Sequence, residues 1–220
     1  MKSFKRLITI FTLVILFAPL LASAADKESG MVTQVAGSAT YSSGADKDKP
    51  VVSFMKVRAG DKLTLGKDAK LQVVYFVNGR QESWNGAAKL TIGANESTAA
   101  NGATPPQVKK LPPVVLQQLT RAPGVVSDLK SRSGMIMVRS LPMVKMRELD
   151  ENYAILRKEA ADDDVTPELY LLSGLHELKL YRDMKPVLEE MRKRQPNNPE
   201  VQAVYDHYSK LMNPAEPGAK

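Results

Sequence analysis

Residues 54–93, FMKVRAGDKLTLGKDAKLQVVYFVNGRQESWNGAAKLTIG, constrain the fold more than any other stretch. Short apolar runs are punctuated there by Gly60, Gly66, Gly79, Gly86 and Gly93. Two of these glycines follow asparagine, at Asn78-Gly79 and Asn85-Gly86. Asn-Gly between apolar runs signals a hairpin, because both turn residues must take positive φ. Lys70–Val77 is apolar on both faces: Leu71, Val73, Tyr75 and Val77 on one, Val74 and Phe76 on the other. A strand of that kind is expected in the middle of a domain, covered from both sides.

Two-residue turns fix an expected register. Tyr75 would face Glu82, Val73 would face Trp84, and Trp84 would face Ala87. Ala88, Leu90 and Ile92 would then share the Val74 and Phe76 face. Trp84, the one tryptophan, is expected in the core. Upstream, Met31–Val35 and Ser38–Ser42 read as strands flanking Gly37. SGADKDK reads as a polar loop and Val51–Val57 as a further strand, while Leu63 and Leu65 show half-buried alternation.

The first 24 residues read as an export signal. Lys2, Lys5 and Arg6 precede the apolar run Leu7–Leu21, and Ala22-Ser23-Ala24 is a small-residue cleavage pattern. The run is short for a membrane span, which needs about 20 residues. Cleavage after Ala24 and a periplasmic address are expected. The mature chain would carry 28 basic and 24 acidic residues, a net +4. It has no cysteine, which excludes disulfides and thiolate chemistry.

GMVTQVAGSATY followed by VRAGDKLTLGKDAKLQVVYFVNGRQESWNGAAKLTIG resembles the FecR domain of bacterial extracytoplasmic proteins. Gly37, Arg58, Gly60, Asp61, Leu63, Gly66 and Asn78-Gly79 sit at that family's places. The resemblance covers about residues 30–93 and implies a small glycine-cornered all-β domain, bounded here at 25–93. The family's iron-signalling members carry a cytoplasmic arm before a membrane helix, whereas six residues precede the apolar run here.

Residues 94–145 read as a linker, polar at NESTAANGATPP and basic from Gln107. LPPVVLQQL offers a short helix from Pro113, and Gly134–Val138 an apolar strand. Eight basic residues between Gln107 and Arg147 stand against Asp128 alone. Lys130, Arg132 and Arg139 are candidates for contact with an anionic lipid or wall component. The preferred reading is a solvated connector whose apolar residues dock on either neighbour, with the anionic contact as its alternative.

From Met146 to 212 the period becomes helical. Met146, Leu149, Tyr153, Leu156 and Ala160 line one face. Thr166-Pro167 starts a helix presenting Leu171, Leu172, Leu175 and Leu178, with Thr166 as its N-cap. Asp162–Asp164 precede it, where negative charge suits a helix N-terminus. Met184, Val187, Leu188 and Met191 form a third stripe, and Asn198-Pro199 caps a fourth helix. Residues 213–220 read as a frayed tail. Glu168–Asn198 resembles one tetratricopeptide repeat, which implies a helical hairpin with flanking helices packed on it. Tyr170, Ser173 and Glu177 fall off the leucine stripe and are candidate partner-binding positions on an exposed face.

No nucleophile, metalloprotease, Walker or dinucleotide motif occurs. His176 and His207 lack companion ligands, so neither metal nor cofactor is expected. The chain is therefore expected to be a non-enzymatic exported envelope protein, a β domain followed by an α domain. It would act as a scaffold for another envelope protein or peptide, with no nucleic acid partner. Alternatives are recognition of cell-wall glycan or another anionic envelope component, and a signalling-type FecR relative.

Overall fold

The computed structural model describes residues 28–44, 46–100, 102–121 and 142–212. The expected signal peptide, Lys130, Arg132, Arg139, the Gly134–Val138 strand and the tail lie outside them. Ten strands come first: β1 (Glu28–Ala36), β2 (Ala39–Ser43), β3 (Asp46–Pro50), β4 (Lys56–Arg58), β5 (Lys62–Leu65), β6 (Lys70–Tyr75), β7 (Arg80–Asn85), β8 (Ala88–Ile92), β9 (Ser97–Ala99) and β10 (Gln107–Lys110). Helices follow: α1 (Pro113–Arg121), α2 (Pro142–Glu159), α3 (Thr166–Glu177), α4 (Met184–Arg194) and α5 (Pro199–Met212), with a 3-10 turn at Tyr181–Asp183.

The strands form two antiparallel five-stranded sheets, ordered β10-β7-β6-β1-β4 and β3-β2-β5-β8-β9. Val32, Leu71, Val73, Tyr75 and Trp84 of the first sheet share a core with Leu63, Leu65, Leu90 and Ile92 of the second. Strand β6 runs through the middle of the first sheet, as its two apolar faces demand. Its Leu71/Val73/Tyr75 face meets the second sheet, and Val74 on its back meets the helices. Trp84 is buried, and its indole N–H donates to buried Glu82.

The register differs from the two-residue expectation in an instructive way. Leu71 faces Trp84 and Val73 faces Glu82, so the β6–β7 turn takes four residues, Phe76–Gly79. A slip of two residues preserves which face each side chain occupies. The second Asn-Gly does not close a hairpin. Gly86, at φ +81°, turns the chain from one sheet to the other, and its N–H goes to the Ala69 carbonyl. Strand β8 then pairs with β5 and β9. Ala88, Leu90 and Ile92 therefore join Trp84 in the sandwich core rather than Val74.

SGADKDK supplies β3, which pairs with β2, so it is a hairpin arm rather than a loop. Of the Val51–Val57 stretch only Lys56 and Val57 lie in a strand, β4. Phe54 takes φ +66°, and its side chain leaves the sandwich for the helical cluster while Met55 and Val57 stay in the sandwich core. Positive φ at a bulky residue is strained, and burial of the ring among the helices offsets that strain. Asp61 closes the next turn, accepting the Arg58 N–H at 2.8 Å.

The stretch read as linker contributes β9, β10 and α1. Strand β10 pairs with β7, and Val115 and Leu119 of α1 are completely buried. Helix α2 starts at Pro142, four residues before the expected Met146. Its Leu149 and Leu156 are buried, with Met146 and Tyr153 packed beside them. All four residues of the α4 stripe are buried. Asn198 caps α5 by accepting the Glu200 N–H at 2.9 Å.

Candidate functional site

Sheet and helices meet at the acidic run before α3. Asp164 is buried, and its Oδ2 accepts amide N–H bonds from Gln72 at 3.2 Å and Gln81 at 3.1 Å. Its Oδ1 accepts the Thr166 N–H at 2.8 Å. Asp164, not the Thr166 hydroxyl, is thus the capping group, which corrects the expected assignment. Asp163 beside it accepts from Gln34 at 3.0 Å and Lys70 at 3.4 Å. Burial works to raise the Asp163 pKa, but these two donors outweigh it and hold the carboxyl below its usual range. Sequence alone places the acids at the helix end. It does not reveal the amides, because Gln72 and Gln81 lie on separate strands and become diagonal neighbours only through the β6–β7 register.

Helix α3 is the centre of the helical half, and Thr166–Leu175 is buried on every side. This corrects the expected exposure of Tyr170 and Ser173, which are 1% and 4% exposed. Helix α1 covers that face. The Ser173 hydroxyl donates to the Gln118 carbonyl at 2.9 Å, and Arg121 makes two bonds to Glu177 at 3.0 and 3.1 Å. Glu177 remains exposed. Burial pushes the Tyr170 phenol pKa up, opposed by a hydrogen bond with Asn152. Helices α1 and α2 before the α3–α4 pair and α5 after it pack around that pair in one hydrophobic cluster.

A cleft of about 280 Å³ opens between α1, α2 and α3, with Tyr170 and Glu177 in its wall beside Gln117, Gln118, Glu148 and Asn152. The Oε1 atom of Gln118 is buried without a hydrogen-bond partner. A buried acceptor left unpaired carries a desolvation cost of about 1–3 kcal/mol. Gly174 forms part of the wall and lets Leu149 of α2 close onto α3.

On the other flank of α3 a groove of about 340 Å³ runs between α2, α3 and α4. Below it, the carboxylate of Glu168 is fully buried against Arg157 at 3.1 Å and Arg194 at 3.4 Å. Tyr153 donates to the same carboxylate at 3.1 Å, and burial followed by the Glu168 charge pushes its pKa up to about 12. A third cleft, about 280 Å³, lies at the sheet-helix junction and is rich in amides: Gln34, Gln72, Asn85 and Gln107, with Lys70 and Asp163.

His176 stacks edge-on against Tyr181 and Tyr208, and His207 against Tyr208. Among the described residues, no three metal-ligating side chains gather into a site, and no helix is long and apolar enough to cross a membrane. Comparison with protein-family models, curated proteins and solved structures finds no match. The functional reading rests on the chain's own geometry.

Proposed function

We propose that this chain is a non-enzymatic exported envelope protein that docks another protein or peptide through its helical half. A FecR-like sandwich would be the platform and a tetratricopeptide-like array the docking element. The observation that carries the reading is the cleft between α1, α2 and α3, with the unpaired Gln118 acceptor beside Glu148 and Asn152. An extended peptide brings backbone N–H donors to such a surface. Arg121 and Glu177 already answer each other, which leaves the cleft's polar rim poised for hydrogen bonding rather than for one sign of charge.

The test uses groups that are not buried. Gln117→Arg with Glu148→Arg should abolish capture of a partner from envelope extracts while leaving the melting temperature nearly unchanged. Unchanged capture would remove the cleft from the reading. Fractionation belongs in the same experiment: export with cleavage after Ala24 puts the protein in the osmotic-shock fluid. An intact N-terminus in the membrane pellet would reject the soluble-scaffold reading and reopen the signalling one.

A second reading, recognition of wall glycan, draws on the amide-rich junction cleft, since paired amides and carboxylates suit sugar hydroxyls. Co-sedimentation with purified wall, lost on Asn85→Ala with Gln107→Ala, would favour it. The basic residues Lys130, Arg132 and Arg139 would add an anionic contact. Neutralising all three, or adding salt, should then weaken envelope association.

A further inference from the structure

We propose that the groove between α2, α3 and α4 seats a basic partner segment, an apolar side chain flanked by lysine or arginine. The inference rests on reading the helical half as a docking module and names a second contact on it. The groove's floor is apolar, with Leu171, Leu175 and Val187 below and Met146 and Pro186 at its sides. Its rims are acidic on opposite banks: Asp150 on α2, and Asp183 and Glu190 at the start and along the face of α4.

The ion pairs separate committed from available charge. Glu190 is answered by Arg194 at 2.6 Å, and Lys185 reaches only Glu189, at 4.0 Å. Asp150 and Asp183 are both exposed, and neither is in an ion pair among the described residues. Residues 142–212 hold 14 acidic and 11 basic side chains, a net −3, within a chain of net +7. An apolar trench between two unanswered carboxylates disfavours an acidic ligand and leaves a neutral one without charge complement. Lysine or arginine fits both requirements, because the aliphatic stem lies on Met146 or Pro186 while the head reaches a carboxylate.

The test is fluorescence anisotropy with the purified chain and a labelled peptide, acetyl-Lys-Leu-Lys-Lys-Leu-Lys-amide. The matching peptide with Glu for Lys is the control. The Lys peptide should bind, the Glu peptide should not, and raising salt should weaken binding. Asp150→Lys with Asp183→Lys should reduce affinity on the order of tenfold, since rim charges contribute modestly each. Asp150→Asn with Asp183→Asn should reduce it less, and thermal melts should show all variants folded. Equal binding of the two peptides, or affinity unmoved by either double variant, would overturn the proposal. Self-association abolished by the Lys variants would also overturn it, making a second copy the occupant. Extract capture that survives these variants but is lost with Gln117→Arg and Glu148→Arg would leave the docking function standing and remove this groove from it.

Discussion

The side-chain amide of Gln81 donates to Oδ2 of Asp164 across 3.1 Å, and the two residues lie 83 positions apart in the chain. With Gln72 on the same oxygen and the Thr166 N–H on the other, one carboxylate joins the central sheet to the first turn of the central helix. The partners are neutral donors rather than a cation. Such bonds to an ionised acceptor are roughly twice as strong as neutral ones, and no second charge has to be desolvated.

Replacing Asp164 with Ala orphans two buried amides and a helix-end N–H at once. Thermal or urea unfolding should register a loss of about 2–4 kcal/mol, since each abandoned buried donor costs about 1–3 kcal/mol and the three share one site. Asp164→Asn keeps an acceptor oxygen and should lose less. Equal losses in the two variants would mean that packing, not the acceptor, holds the junction.

Gly79 combines two constraints. Its φ is +71°, and a Cβ there would sit 2.6 Å from the Leu111 carbonyl oxygen and 3.2 Å from a Leu116 methyl. The same residue accepts the Leu111 N–H at 2.8 Å, which seats the chain entering α1. Gly79→Ala should therefore destabilise by more than the ~1–3 kcal/mol of strained backbone alone. Gly102, also at positive φ but with open space around it, is the control and should show the backbone cost only.

How far the sequence could be read divides along one physical line. Short-range signals were legible: the covered β6, the buried Trp84, the leucine stripes and the Asn198 cap each follow from local period or turn chemistry. What failed was long-range. Gly86 reads as a hairpin turn, yet where the chain goes after a tight turn depends on which sheet has an open edge. Tyr170 and Ser173 read as solvent-facing because a helical period marks a polar face and not what covers it. That cover, α1, sits in a stretch whose Pro-rich, basic composition reads as linker. The candidate cleft was half legible, since Tyr170 and Glu177 lie in its wall while Gln118 and Glu148 come from elements the period does not bring together.

Acid should loosen the helical half in two stages. His176 is exposed as a residue, but the ring edges packed against Tyr181 and Tyr208 are shielded from water, which lowers its pKa, and His207 adds repulsion; His207 is lowered by its own partial burial and by Lys210. A histidine depressed in the fold binds its proton more readily when unfolded, at about 6.5. The stability it contributes is full above that pH and is lost as pH falls below it. Asp163, also depressed, contributes in the same sense but only as pH falls below the ordinary carboxylate range. Melting temperature should therefore decline from pH 7 to pH 5, and His176→Gln with His207→Gln should flatten that limb without touching the one near pH 4. A double variant that declines as steeply as the parent would assign the limb to other groups.

Whether α1 is connector or structure can be decided by comparing two substitutions on opposite faces of it. Leu119 is fully buried in the cluster that also holds Leu172, Leu175 and Val74. Leu119→Ala should cost about 2–5 kcal/mol, the range for a leucine removed from a packed core. Arg121, two residues on, is 59% exposed at its side chain and pairs with Glu177 at 3.0 Å. An exposed pair of this kind contributes about 0–1 kcal/mol, so Arg121→Ala should leave the melt nearly unmoved while removing one wall of the cleft. A connector would tolerate both changes equally. Urea unfolding of the two variants, with partner capture measured beside it, should instead show a stability loss confined to Leu119→Ala and a capture change in Arg121→Ala, which would place fold and function on opposite sides of the same short helix.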